Sequence, residues 1–428
     1  MCNQEIIRRK KYCQIVKEIT GSDQYLVIGI DVAKENHHAF MGTATGKSLL
    51  RRLIFKNDMA GFSRLLTTAD AIKSQNCLSK VVYGMEPTGN YHKPLAGHLI
   101  CCDCDVVLVT GKAVKNNREL INGRWDKNDT KDAANIADLV SRGKCLFYDC
   151  PSPSIIELRS LLSLRRRLKR EEHGLRMRIR NNLLAQYFPE LDRFYSACES
   201  ESLAIVKWCL NPDTLAAMAF GEFFQLVTKT RRGIAQTLRL RKIHDLATES
   251  VGCPMGAAAE YEAELLVEKL KQVRNQIKKT ADLMEDFCLE FPEYSYLLTI
   301  PGFGPYVSAR VLASIGNPFR FENRKQLVKM SGYDLCANRS GKKSKDAVPV
   351  ISKRGNGELR YALYQAANVA TARVDIFRTY FTRLLRGRER ERGIKTKMRV
   401  KLAAKMLVIG WTLMKKREVF NPDYLNIE

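Results

Sequence analysis

"QYLVIGIDVAKENHHAFMGTATGKSLLRRLIFKN", Gln24 to Asn57, decides the fold of the N-terminal third of the chain. It holds three apolar runs rich in β-formers with short polar turns between them, the pattern of an antiparallel three-stranded meander. A helix is expected over Met59 to Lys73, followed by a buried strand in "KVVYGME" (Lys80–Glu86) and a short helix in "YHKPLAGHLICC" (Tyr91–Cys102). Another strand lies in "DVVLVT" (Asp105–Thr110), and "RWDKNDTKDAANIADLV" (Arg124–Val140) opens a further helix. The order βββαβαβα describes a mixed α/β sheet. Within it, "GTATGKS" (Gly42–Ser48) imitates a phosphate-binding loop. It has one residue too few between its glycines and joins two strands, so a hairpin turn is the better reading.

Acids fall at the ends of these elements. Asp31 closes the first strand, Glu86 closes the fourth, and Asp126, Asp129 and Asp132 recur every third residue where the last helix begins. Such spacing sets side chains on one helix face, with Cβ atoms about 5–6 Å apart. One reading is solvation, with acids complementing the helix dipole and Asn128 or Asp129 capping. The other is a divalent-cation site completed from elsewhere in the chain. If the strand ends lie side by side and the helix packs across them, Asp31, Glu86, Asp129 and Asp132 converge. Carboxylates that close resist ionising together unless cations neutralise them. A pair of Mg²⁺ (or Mn²⁺) ions about 3.5–4 Å apart would then clamp the attacking and leaving oxygens of a phosphodiester.

Composition narrows the partners. A chain of 428 residues suggests two or three domains, and 71 Lys and Arg against 46 Asp and Glu leave a net charge of +25, which favours a polyanion such as nucleic acid. No apolar run is long enough to span a membrane, and the basic N-terminal extension (residues 1–23) lacks the apolar core of a secretory signal. The 13 cysteines are scattered, and the cluster Cys101, Cys102 and Cys104 has no second ligand pair, so reduced thiols in a cytoplasm are expected rather than zinc.

The middle of the chain (residues 151–293) reads as helical. "SLRRRLKREEHGLRMRIRNNLL" is strongly basic, including Arg165, Arg166 and Arg167, and with Leu161 just before it Leu168 and Leu175 fall at sevens. A longer seam of Leu266, Leu270, Val273, Ile277, Thr280, Met284, Phe287 and Phe291 alternates four and three spacing, as in a coiled coil. That seam fits a dimerising arm or two helices of an internal bundle. The mainly helical C-terminal domain (residues 294–428) opens with "LLTIPGFGPYVSARVLASIG", a helix-hairpin-helix-like pattern. The turn glycines Gly302 and Gly304 would offer backbone N–H groups to a phosphate. Ser340 follows in a polar loop with Arg339, Gly341, Lys342 and Lys343. A run from Arg378 to Lys401, including Arg388, Arg390 and Arg392, carries ten basic and two acidic residues, a pattern suited to tracking a backbone.

Taken together, "VIGIDVAKENHHAF", "YGMEPTGNYHKPLAGHL" and "NDTKDAANIADL" resemble the RuvC-like, ribonuclease-H-fold domain (here residues 24–150) of DEDD insertion-sequence transposases, the family that includes Piv-type invertases. By that resemblance the catalytic and metal-holding acids are Asp31, Glu86, Asp129 and Asp132, and Asp126 is a solvated or capping residue. The family's second domain carries a nucleophilic serine in a Ser-Gly pair, which maps to Ser340 and Gly341. Ser331–Gly332 is a competing pair, set aside because the family has a Gly-hydrophobic pair there. The resemblance further implies a DNA recombinase working as a dimer or tetramer in a bacterial cytoplasm, guided by an RNA from its own element. Two alternatives are a RuvC-like junction nuclease using water and a non-catalytic nucleic-acid-binding protein. The acid quartet argues against the second, and Ser340 against the first.

Overall fold

Strand β1 (Tyr25–Asp31) is buried along nearly its whole length, so both faces of its sheet have to be covered. Residues 3–122, 129–195, 209–228, 233–337 and 349–425 are described by a computed structural model. A first compact unit comprises residues 1–152 together with 317–322. Its sheet runs in the order β3-β2-β1-β4-β5-β6, where β2 is Asn36–Thr43, β3 Ser48–Lys56, β4 Lys80–Met85, β5 Asp105–Leu108 and β6 Leu146–Phe147. Strands β1, β4 and β5 are parallel, while β2, β3 and β6 run against their neighbours.

Alternation along β1 sends Leu26, Ile28 and Ile30 to one face, where they pack with Phe62 and Leu65 of α2 (Met59–Gln75) and Leu95 and Leu99 of α3 (His92–Cys101). Tyr25 and Val27 face the other way, onto Ile15 and Ile19, at the end of α1 (Asn3–Glu18) and just beyond it, and onto Ile136 and Val140 of α5 (Asp129–Ser141). This mixed α/β sheet agrees with a ribonuclease-H-like domain. "GTATGKS" makes the β2–β3 hairpin: Gly46 has a φ of 95° and donates to the Thr43 carbonyl, and the Thr43 N–H donates to Lys47 O. Helix α1, helix α4 (Gly111–Asn122) and β6 go beyond the sequence expectation. Helix α1 is largely polar without apolar periodicity, α4 is amphipathic but short and polar in composition, and β6 is two residues paired with β5.

Two glycines fix how α5 lies on the sheet. Gly29 of β1 and Gly84 of β4 are register partners. A Cβ on Gly29 would run into the Ala133 carbonyl and the Ala137 N–H of α5, and a Cβ on Gly84 would stand 2.5 Å from Val140 Cγ2. The helix backbone therefore rests in a trough that any side chain would fill.

The second compact unit comprises residues 153–316 and 323–428. Helix α6 (Pro153–Arg178) continues through a π turn at Ile179–Leu184. Short helices at Pro212–Ala217 and Phe220–Val227 and helix α7 (Ile234–Thr248) precede the long α8 (Ala257–Cys288). Leu266, Leu270, Val273 and Ile277 of α8 are buried in one cluster with Leu168 and Leu175 of α6. The heptad seam is thus filled within the chain, as an internal bundle, and pairing between copies would have to use other surfaces. At its centre Glu172 accepts from Lys169 Nζ at 2.9 Å and Arg274 Nε at 3.0 Å. Burial pushes the Glu172 carboxyl up, and the two cationic hydrogen bonds outweigh it, leaving the pKa below its usual value.

Helices α9 (Pro292–Leu298) and α10 (Pro305–Ile315) flank the turn with Gly302 and Gly304, followed by α11 (Arg324–Ser331). A short β7–β8 hairpin (Leu335–Cys336 with Val350–Ile351) leads to α12 (Gly357–Arg373), α13 (Asp375–Leu385) and α14 (Ile394–Lys416). Among the described residues no helix is long and apolar enough to cross a membrane.

Two stability measurements check this packing. In urea unfolding, Gly29→Ala is expected to cost about 2–3 kcal/mol, because the helix backbone has nowhere to go. Gly97→Ala, at an open helical position of α3, should instead gain about 0.5–1 kcal/mol. Glu172→Gln should cost about 2 kcal/mol at neutral pH. Since the native pKa of Glu172 is lowered, that difference is full above the ordinary glutamate value of 4.5 and shrinks as the pH falls through the native one.

Candidate active site

The end of β1 and the end of β4 are neighbours. Ile30 is the register partner of Met85, so the next residue along each strand brings Asp31 beside Glu86. Asp31 shares a sheet face with Gly29, two residues back, and Glu86 with Gly84, so both acids project toward α5. Both are partly buried. Glu86 lies over the first residue of α4: a Cβ on Gly111 would stand 2.5 Å from Glu86 Oε1. A side chain at position 111 would push that carboxylate aside.

Helix α5 brings its own acids to the same end. Ala133 lies over Gly29, while Gly143, past the far end of the helix, lies against Val16 and Thr20 just before β1. The N-terminus of α5 therefore points toward Asp31. Asp129 is its first residue, and its side chain lies outside the described structure, as does Asp126 altogether. Asp132 is 3% exposed, and its Oδ1 accepts from Arg118 Nε at 2.9 Å and Nη2 at 2.6 Å. Beneath that pair Asn117 Nδ2 donates to Asn135 Oδ1 and Asp138 Oδ2, both at 2.7 Å, and Asn135 Nδ2 donates to the Val114 carbonyl at 2.7 Å. Residues 132, 135 and 138 thus grip α4 from one stripe of α5. The sequence reading missed this clamp; its signal was an asparagine at three-residue spacing between aspartates on an otherwise apolar helix face.

The donor set suits a hard divalent cation, since every ligand it offers is a carboxylate oxygen. The place beside Asp132 already accepts a positive group, the Arg118 guanidinium. Among the described residues no three acids, histidines or cysteines stand close enough to enclose an ion. Asp31, Glu86 and Asp132 are the described acids offered at this end, and a cation shared by them would have to draw them closer than they stand.

In the second unit the expected residues are only partly visible. Ser340, Arg339, Gly341, Lys342 and Lys343 lie outside the described residues; the β7–β8 pairing of Cys336 with Val350 brings together the two ends of the segment that carries them. The competing Ser331 is fully buried and its Oγ donates to the Val328 carbonyl at 2.8 Å, so it is a packing residue. Gly302, with a φ of 94°, is pressed against α12, where a Cβ would stand 2.8 Å from the Ala366 carbonyl. Gly304 is exposed and caps α10. Arg166 pairs with Glu358 at 2.7 Å, Arg167 is exposed, and Arg388 pairs with Glu391 at 2.8 Å while Arg390 and Arg392 are exposed.

Comparison with known proteins agrees with both units. Residues 28–189 match the IS110-type DEDD transposases, described as transposase, and residues 294–382 match the transposase IS116/IS110/IS902 family, together more than half of the chain. The chain belongs to the IS110 family of transposases. It is a DNA transposase, an enzyme of insertion-sequence transposition. An insertion element IS116 protein of 44.8 kDa from Streptomyces clavuligerus is 23% identical to this transposase over 399 residues, 92% of the chain and 96% of its own length. The transposase for insertion sequence element IS1111A from Coxiella burnetii is 25% identical over 295 residues, 69% of the chain and 68% of its own length.

Arg118→Gln should destabilise the transposase by about 3 kcal/mol in urea unfolding, because the buried Asp132 carboxylate loses its cation. Arg142→Gln, which removes a surface partner of Asp138, should cost well under about 1 kcal/mol.

Proposed function

We propose that this transposase cuts and rejoins DNA strands with an acid quartet, Asp31, Glu86, Asp129 and Asp132, and a nucleophilic Ser340. The observation that carries the reading is the convergence of β1, β4 and the start of α5 at one end of the sheet, fixed by the Gly29–Gly84 trough. A divalent cation, Mg²⁺ or Mn²⁺, bound by these acids would neutralise them and withdraw charge from the scissile phosphate. The chain's own part is to hold the carboxylates in place, through the trough and the α4–α5 clamp, and to present a serine hydroxyl. A hydroxyl is a weak nucleophile at neutral pH, and an adjacent cation favours loss of its proton.

As the Ser340 Oγ–P bond forms, the bond from phosphorus to the deoxyribose oxygen breaks, and a sugar hydroxyl leaves with the proton. The phosphoserine ester keeps the energy of the broken bond, so rejoining by a strand hydroxyl needs no ATP. Gly304 and the basic groups Arg165 to Arg167, Arg339, Lys342, Lys343, Arg388, Arg390 and Arg392 would bind phosphate around this reaction, in keeping with the +25 charge. Sequence choice by an RNA from the element, through base pairing, fits a protein that reads backbone and shape, and assembly of copies would unite Ser340 with the acids of one or another chain.

Trapping the transposase on a cognate DNA tests the chemistry. Ser340→Ala and each acid-to-alanine variant should lose the covalent protein–DNA adduct, while Ser331→Ala, if folded, should keep it. Cutting at wild-type rate by Ser340→Ala, leaving free phosphate ends and no adduct, would make water the attacking group and the protein a nuclease.

A further inference from the structure

Helix α6 lies antiparallel along α10: Ile155 approaches Gly316, Arg159 Nε donates to the Ala313 carbonyl at 2.9 Å, and the Arg165 guanidinium stands 4.3 Å from the centre of the Tyr306 ring. Two neighbouring arginines on α6 have acceptors. Arg159 has that carbonyl and Arg166 has Glu358. Arg165 has none among the described residues, and its Nε is buried without a partner. Arg310, one turn along α10 from Tyr306, donates from Nη2 to the Tyr306 hydroxyl at 3.2 Å, lies 5.5 Å from the same ring, and also buries an unpartnered Nε.

Two guanidinium groups therefore share one tyrosine, and among the described residues neither is paired with a carboxylate. Burial, with the Arg310 charge adding to it, pulls the Arg165 pKa below its usual value. Cation–π contact returns about 0.5–2 kcal/mol, which offsets part of that cost. The same place holds the N-terminus of an 11-residue helix with no side-chain cap: Gly304 is exposed with open space around it, Pro305 is the first helical residue, and the N–H groups of Tyr306 and Val307 have no intrahelical acceptor. Ser308, one turn in, is fully buried and its hydroxyl has no partner.

We infer that Arg165, Tyr306 and Arg310, together with the uncapped start of α10, form a cradle for one phosphodiester of a nucleic-acid backbone. An anion there would accept from the guanidinium groups and the first-turn N–H groups at once, and would neutralise two charges that otherwise repel. The ring of Tyr306 sets the spacing of the two arginines. Arg310 and Tyr306 thereby join Arg165 and Gly304 in a single site, and Gly302 serves it only by tightening the turn onto α12. The inference rests on the proposal that the protein handles nucleic acid, but not on the acids or on Ser340.

The test is fluorescence anisotropy with a short labelled DNA duplex and with an RNA duplex of the same sequence, measured against KCl concentration. Arg165→Gln and Arg310→Gln should each lower the slope of log affinity against log salt by about 1. Tyr306→Phe, which keeps the ring and the packing, should weaken binding about two- to threefold by releasing Arg310. Lys271→Gln, removing an exposed lysine paired with Glu268, is the charge-matched control and should leave the slope unchanged. The duplex that shows the change identifies whether DNA or RNA supplies the phosphate. Wild-type slopes for both arginine variants on both duplexes would overturn the cradle. If Arg165→Gln melts early, Arg310→Gln and Tyr306→Phe decide. The serine adduct is scored separately: wild-type slopes in variants that still form it reject the cradle alone, and altered slopes in a protein that never forms it support the cradle while rejecting that chemistry.

Discussion

The absence of two side chains organises the first unit. Gly29 and Gly84 face each other across β1 and β4, and α5 lies in the trough they leave, close enough that a Cβ on Gly29 would collide with the helix backbone. Asp31 and Glu86 lie two residues beyond these glycines along their strands, at the end of the sheet toward which the start of α5 points. In the proposed site, packing and chemistry would share this one cause.

The α4–α5 clamp adds direction to that contact. Apolar packing alone would let α5 slide along the trough, whereas Asn117, Asn135 and Asp138 fix its register through buried hydrogen bonds. Such groups tolerate little displacement, because each would be left unsatisfied. Arg118 pairs with Oδ1 of Asp132 and keeps that buried carboxylate compatible with folding.

Much of this was legible in the sequence. Continuous apolar runs rich in β-formers in Tyr25–Asp31 and Lys80–Met85 marked the central strands, and acids closing those runs marked Asp31 and Glu86. The glycine trough was harder to read, since a glycine inside a strand signals a close approach without saying by what. Arg118 and Asn117 were hidden because their partners lie on another helix, beyond any local period. The heptad seam of α8 was read correctly as apolar, but periodicity cannot say which helix fills it, and the neighbour proved to be α6 of the same chain. Ser331 and Ser340 looked alike as letters; burial and a hydrogen bond to Val328 remove Ser331 from contention.

The proposed chemistry requires the acids to meet at one place on the sheet. Soaking the transposase with Fe²⁺ in place of Mg²⁺ and adding ascorbate and peroxide cuts the backbone only beside the bound ion. Peptide mapping should then find cuts at three separated stretches, around Asp31, around Glu86 and across residues 129–132, all lost together in Glu86→Gln and all competed by Mg²⁺. Cuts confined to one stretch, or a pattern unchanged by Glu86→Gln, would contradict the convergence of these acids on a common cation.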